Sequence, residues 1–146
     1  MEEFGLTERE REAFRTARSA RLATADPAGR PNVVPICFSL VGDSIVTPID
    51  EKPKKRADDL RRVRDIRTNP FVAVLVDQYS EAWSDLWWIQ IRGRAELLEA
   101  TADAHTEAVT ALQQKYSQYA DHRLSNRPVI CIEASHAVSW QPGDSR

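Results

Sequence analysis

Residues 20–49 read ARLATADPAGRPNVVPICFSLVGDSIVTPI. Ala20 to Ala25 has the character of a short strand. Asp26-Pro27-Ala28-Gly29-Arg30 follows as a turn: Pro presets φ, Gly supplies positive φ, and Asp bonds the backbone just ahead of it. Asn32 to Leu40 is β-branched and apolar, with Pro31 and Pro35 marking an edge or a bulge. Val41-Gly42-Asp43-Ser44 then turns the chain into a third strand, Ile45 to Ile49. A parallel crossover takes about a dozen residues or more, so strands joined this tightly must be antiparallel.

On the N-terminal side, Thr7 and Glu10 have the spacing of a capping box, which predicts a helix from there to about Ser19. On the C-terminal side, a basic loop around Lys52-Pro53 becomes a helix near Lys55. Its apolar residues Ala57, Leu60, Val63 and Ile66 form one narrow stripe, with Arg61, Arg62 and Arg64 largely outside it. Asn69-Pro70 stops this helix. Phe71 to Val76 is a nearly continuous apolar run, as expected of a strand buried on both faces. Leu86 to Leu98 alternates, with Trp88, Gln90, Arg92, Arg94 and Glu96 on one side and Trp87, Ile89, Ile91 and Ala95 on the other; Gly93 suits a bulge. A further helix is expected from Ala102 to about Tyr119, with Ala108, Val109, Leu112, Tyr116 and Tyr119 on one face, and a last strand or strand pair from Pro128 to Trp140. The order α-βββ-α-ββ-α-β predicts a mostly β, α+β domain over residues 1–146, an antiparallel barrel flanked by helices.

The 146 residues carry a net charge of −2. Between Lys52 and Arg67, however, eight basic residues face three acidic ones, so this window is +5 and the remainder −7. Positive charge focused on one element attracts an anion there, while the acidic remainder repels polyanions, which argues against a nucleic-acid partner. No apolar run approaches the eighteen or so residues of a membrane span, and the start lacks the basic-then-apolar pattern of a signal peptide. A cytoplasmic protein without a membrane partner is expected. Cys37 and Cys131 lack metal or disulfide spacing, and His105, His122 and His136 have no clustered ligands, so no metal site is predicted. His105 is read as lying on a solvated helix.

Two features carry chemistry. Lys52, Lys54, Lys55 and Arg56 stand where a strand feeds a helix start, and a helix N-terminus with added cations is a phosphate site. Trp83, Trp87 and Trp88 fall within six residues beside Tyr79. Neighbouring Trp87 and Trp88 on a strand point to opposite faces, so one of them is a contact surface. Together they suggest a flat, phosphorylated cofactor.

The succession LATADPAGRPNVVP, SIVTPIDEKPKKRADDLRRVRDIRTNPFVAVLVD and WSDLWWIQIRGRAELL resembles the pyridoxamine 5′-phosphate oxidase-like split-barrel family. It is most similar to the branch that binds the deazaflavin F420 in place of FMN. The resemblance runs from about Ala20 to Trp140. It implies a six-stranded antiparallel split β-barrel that forms homodimers, with cofactor sites in grooves between subunits. Family phosphate-gripping positions fall on Thr47, Lys52, Lys54 and Arg56, with Lys55 nearby. Ring-pocket positions fall on Asn32, Val34 and Pro35. A ring contact from the partner chain falls on Trp88, with Ile89 the other candidate. Pro48 and Ile49 replace hydrogen-bonding residues of FMN-binding relatives, which directs the cofactor expectation to F420, with FMN the alternative. His136 and Arg146 do not match the substrate residues of the vitamin B6 enzymes.

The function so implied is oxidoreduction: hydride exchange between F420 or FMN and a small unsaturated or quinone-like substrate. The cofactor brings the chemistry, and no catalytic residue is singled out; Asp77, Tyr79 and Gln90 are equal candidates for a proton step. Two alternatives are a non-catalytic flavin or deazaflavin carrier or sensor, and a structural or nucleic-acid-binding barrel.

Overall fold

The computed structural model describes residues 5–49, 60–121 and 124–143. Its elements in chain order are α1 (Glu8–Thr16), β1 (Ala20–Ala25), β2 (Pro31–Ile36), β3 (Ser39–Val41), β4 (Ser44–Pro48), α2 (Arg61–Thr68), β5 (Phe71–Gln78), β6 (Trp87–Leu98), α3 (Asp103–Lys115) and β7 (Val129–Trp140). The seven strands form one sheet in the order β2-β1-β5-β6-β7-β4-β3, every neighbouring pair antiparallel.

The chain's own reach shows that this sheet curls. β2 and β3 are its opposite edges, yet only Cys37 and Phe38 join them. Three Cα–Cα steps span at most about 11 Å, so the two edges must meet. That seam closes the barrel. It also corrects the six-strand expectation to seven, because the run Asn32–Leu40 is broken at Cys37-Phe38 into two strands.

Side chains replace the ladder at the break. The Cys37 carbonyl accepts from Thr47 Oγ1 at 2.7 Å, and the Phe38 N–H donates to Tyr116 Oη at 3.1 Å. Phe38 is fully buried, its ring centroid 5.2 Å from that of Phe14 on α1. Burying such a ring while its backbone groups stay satisfied is enough to hold the corner.

The barrel interior collects the inward residues of every long strand, among them Leu22, Ile45, Val74, Ile91 and Ile132, closed by Phe14 from α1 and Val63 and Ile66 from α2. A second cluster lies under α3, where Ala108, Val109, Leu112, Tyr116 and Tyr119 are all buried as expected from their spacing. The long pair β6–β7 shifts register between Arg92 and Gly93. A Cβ on Gly93 would collide with the Glu133 carbonyl oxygen, so the close approach of strands requires glycine there.

Three sequence expectations change. β5 alternates: Val72, Val74 and Val76 are buried while Phe71 is 64% exposed, because α3 covers the outer sheet face at β4 and β7 and not at Phe71. Arg62 is buried, not outside the stripe, since α2 buries two adjacent positions per turn. His105 is buried, its Nε2–H donating to the Arg127 carbonyl at 2.5 Å, because α3 packs on the last turn before β7.

Candidate functional site

The β1–β2 turn is held by Asp26, whose carboxylate accepts from the N–H groups of Ala28 and Arg30 and from Arg30 Nε, each at 2.9 Å. These bonds, the Arg30 backbone first, hold the Asp26 carboxyl below its ordinary range. Gly29 supplies the positive φ the turn needs. Arg61 then bolts the turn to α2: it donates to the Arg30 carbonyl at 3.2 Å and to Asp65 Oδ1 at 3.3 Å. Asp65, itself buried, accepts from Thr24 Oγ1 on β1 at 2.7 Å. A buried carboxylate is tolerated only with such partners, and here they fix the distance between β1 and α2.

The start of α2 is electrostatically inverted. Its N-cap, Leu60, offers no side-chain cap, its first turn contains no acid, and Arg61, Arg62 and Arg64 stand there instead. Cations at the positive end of a helix dipole cost stability, about 0.3–1 kcal/mol each, and among the described residues no side chain caps the first-turn N–H groups. Both defects are relieved by an anion. Beside this end lies a cavity of about 280 Å³ lined by Ser19, Pro35, Cys37, Thr47, Pro48 and Arg62, together with Ile36. None of these carries a negative charge, so the donor set suits a phosphate.

The predicted residues distribute unevenly around this cavity. Thr47 and Pro35 both line it. The single hydroxyl proton of Thr47 points to the Cys37 carbonyl, so in this arrangement Thr47 shapes the cavity and donates nothing into it. Val34 packs against the core, and Asn32 sits half-buried opposite Thr24; neither lines the cavity. Lys52, Lys54, Lys55 and Arg56 lie outside the described residues. The helix itself begins at Arg61 after an extended Leu60, so these four precede the first turn and are not part of it.

Trp88 is elsewhere. It stands on β6 directly opposite Trp140 of β7 and Asp77 of β5. With Trp87 and Trp140 it borders two cavities of about 610 and 410 Å³, neither shared with Thr47. The tryptophan cavities therefore share no lining residue with the cavity at Arg62. Sequence reasoning missed Arg62, whose signal was its place between Leu60 and Val63, and Trp140, which only strand register brings to Trp88.

The sequence profile of the pyridoxamine 5′-phosphate oxidase family matches residues 6–141. The chain belongs to this family. Among curated proteins none matches the sequence. Solved structures share the fold at low identity. A haem storage protein of Vibrio cholerae, HutZ, superposes with a TM-score of 0.73 at 18% identity, covering 92% of this chain and 93% of that one. A conserved hypothetical protein of Mycobacterium tuberculosis gives 0.75 at 18%, over 97% and 92%. An FAD-binding protein of Mesorhizobium loti gives 0.69 at 21%, over 92% of each. These likenesses show that the fold is shared. Among the described residues no helix is long and apolar enough to cross a membrane, and no cluster of metal-ligating side chains occurs.

Proposed function

We propose that this family member binds a phosphorylated flavin-type cofactor, F420 with FMN as the alternative, and acts as an oxidoreductase on a small unsaturated or quinone-like substrate. The observation that carries this reading is the start of α2: three arginines and, among the described residues, no acid and no capping side chain in its first turn, beside a cavity free of carboxylates. When bound, the cofactor supplies the redox chemistry, exchange of a hydride with the substrate.

The chain's own residues bind and orient. Arg62 and the N–H groups of the first turn of α2 hold the phosphate. Lys52, Lys54, Lys55 and Arg56 lie in the segment joining Ile49 to Leu60, both of which are described residues, and add charge to that grip. Pro35 and Thr47 shape the cavity wall, and Asn32 and Val34 extend the same strand toward the ring. Trp88 reaches the ring system from a second copy in a homodimer. Exposed Val33 and Phe71 on the uncovered outer face, 61% and 64% accessible, support such pairing. No group is assigned to a proton step.

A haem reading, suggested by the storage protein among the structural neighbours, is less well supported by the described histidines. His105 is buried and committed to a carbonyl, and His136 is exposed beside the β6–β7 bulge. A carrier or sensor would use the same cavity without turnover.

The test is spectroscopic. Titration of the purified protein with F420 and with FMN is expected to show saturable uptake, tighter for F420. Affinity should fall at least about tenfold in Arg62→Leu and in the Lys54→Ala/Arg56→Ala double variant, the scale of one lost charge-assisted contact. Full affinity in both variants overturns the site, and uptake of haemin with no response to either flavin overturns the cofactor. Oxidation of the reduced cofactor by a panel of quinones, enones and tetrapyrroles separates an enzyme from a carrier; sedimentation tests the dimer.

A further inference from the structure

A second cationic cavity lies on the other side of the barrel seam, where the C-terminal ends of α1 and α3 meet over β3. Lys115 Nζ donates to the Arg15 carbonyl at 2.9 Å, and Arg18 Nη2 donates to the Lys115 carbonyl at 3.0 Å. Each helix end is thus capped by a cation belonging to the other segment, which accounts for one donor of each side chain. Lysine carries three donors and arginine five, so most remain. The Lys115 ammonium sits 3.9 Å from the Phe38 ring centroid and the Arg18 guanidinium 4.7 Å from that of Tyr116, which fixes both heads in place.

Between them opens a cavity of about 450 Å³ lined by Arg15, Thr16, Arg18, Ser39, Gln114 and Lys115, with Leu40 and Ala111. No carboxylate lines it. Glu12 is bonded to Arg15 at 2.9 and 2.5 Å on the exposed face of α1, and among the described residues neither Arg18 nor Lys115 has an acidic partner. The charges strain against one another. Burial, then Arg18 and Arg15, push Lys115 down to about 8, with the Cys37 thiol the one opposing influence. Tyr116 Oη faces the same corner but is engaged with the Phe38 N–H and the Arg18 carbonyl. Arg18 and Lys115, without an acidic partner among the described residues, converge with Arg15, whose counter-ion Glu12 does not line the cavity, and together they describe an anion receptor.

We propose that the cavity between α1, α3 and β3 is a second anion-binding site, separate from the α2 cavity, which takes a small dianion, a phosphomonoester or dicarboxylate, on Arg15, Arg18 and Lys115. Thr16 and Ser39 hydroxyls complete the polar lining. A bound dianion offsets the repulsion among the three cations, so binding and protonation of Lys115 favour each other.

Titration of the wild-type protein with inorganic phosphate and, separately, with succinate, followed by amide chemical shifts, tests this directly. One saturable event centred on Thr16, Arg18, Ser39 and Lys115 is expected with at least one of the two; the tighter one identifies the class. Succinate stays doubly charged between about pH 7 and about pH 9.5, and its affinity should fall roughly threefold or more across that range as Lys115 loses its proton. Arg18→Gln and Lys115→Gln should each weaken binding about fivefold or more, and Lys115→Gln should also remove the pH dependence. Lys115→Arg keeps the charge and the binding, which separates loss of a ligand from loss of fold. The Lys54→Ala/Arg56→Ala variant should retain the event, so failure here is distinguishable from failure of the cofactor site. Non-saturating shifts, shifts confined to residues 60–66 with no event at Thr16, Arg18, Ser39 and Lys115, or unchanged affinity in both glutamine variants overturn the proposal.

Discussion

The starts of α1 and α2 are opposite answers to the same physical problem. At α1, Thr7 and Glu10 satisfy each other's backbone N–H groups at 3.1 and 3.0 Å, and Glu8 and Glu10 complement the dipole. At α2, among the described residues, the first turn has no capping side chain and no acid, and three arginines crowd the same kind of positive end. The first arrangement is what stability alone selects. The second is locally unfavourable, and it sits beside a buried arginine and a cavity. Under the proposed function, the cofactor phosphate supplies the partner that the start of α2 forgoes.

That contrast can be broken most severely at Asp65, which anchors Arg61 and Thr24. Asp65→Ala removes the carboxylate and leaves buried donors unpaired, and an unfolding free energy lower by about 3 kcal/mol is expected from urea denaturation. A loss under about 0.5 kcal/mol would show that α2 is held by packing alone. Thr7→Ala should cost about 1 kcal/mol in the same measurement by removing half of the capping box, with no effect on cofactor affinity. Arg64→Glu, on the exposed face of the first turn of α2, is the sharpest test. It should stabilise the fold by roughly 0.5 kcal/mol while weakening cofactor or phosphate binding, whereas Glu8→Arg at α1 should destabilise by a similar amount and leave binding alone. If Arg64→Glu lowers both or raises both, the trade between stability and binding at α2 is refuted.

A smaller effect concerns the end of α3. Lys115 is lowered from 10.5 to about 8 in the folded protein, so between these values the unfolded chain binds more protons than the folded one. Stability from this group therefore rises with pH across that window and is flat below it. Urea midpoints measured across the window in the wild type and in Lys115→Met isolate the contribution; a slope that persists in the variant assigns it to another group.

Much of this was legible beforehand because it is local. The Thr7–Glu10 spacing, the Asp26–Arg30 turn, the alternation of β6 and the buried stripe of α3 depend on residues a few positions apart, where period and turn chemistry decide. Phe71–Val76 misled because a run of apolar residues is equally compatible with one covered face or two, and coverage is set by distant elements. The resemblance gave Thr47 a phosphate-gripping role, yet its proton is committed to a carbonyl ten residues away, which no pattern records. Arg62 was misread because a stripe spaced by three hides the second buried position that a helix packed on a sheet also presents.

The sequence by itself determined an antiparallel barrel with flanking helices, since short connections forbid parallel pairing, and it concentrated positive charge between Lys52 and Arg67. Tertiary structure alone decided that Cys37 and Phe38 form the seam between opposite sheet edges, that Arg62 turns inward beside Thr47, and that Arg15, Arg18 and Lys115 converge across a gap of about a hundred residues. Those meetings depend on where a closed sheet brings its edges together. A one-dimensional pattern carries the strands' faces but not the curvature that closes them.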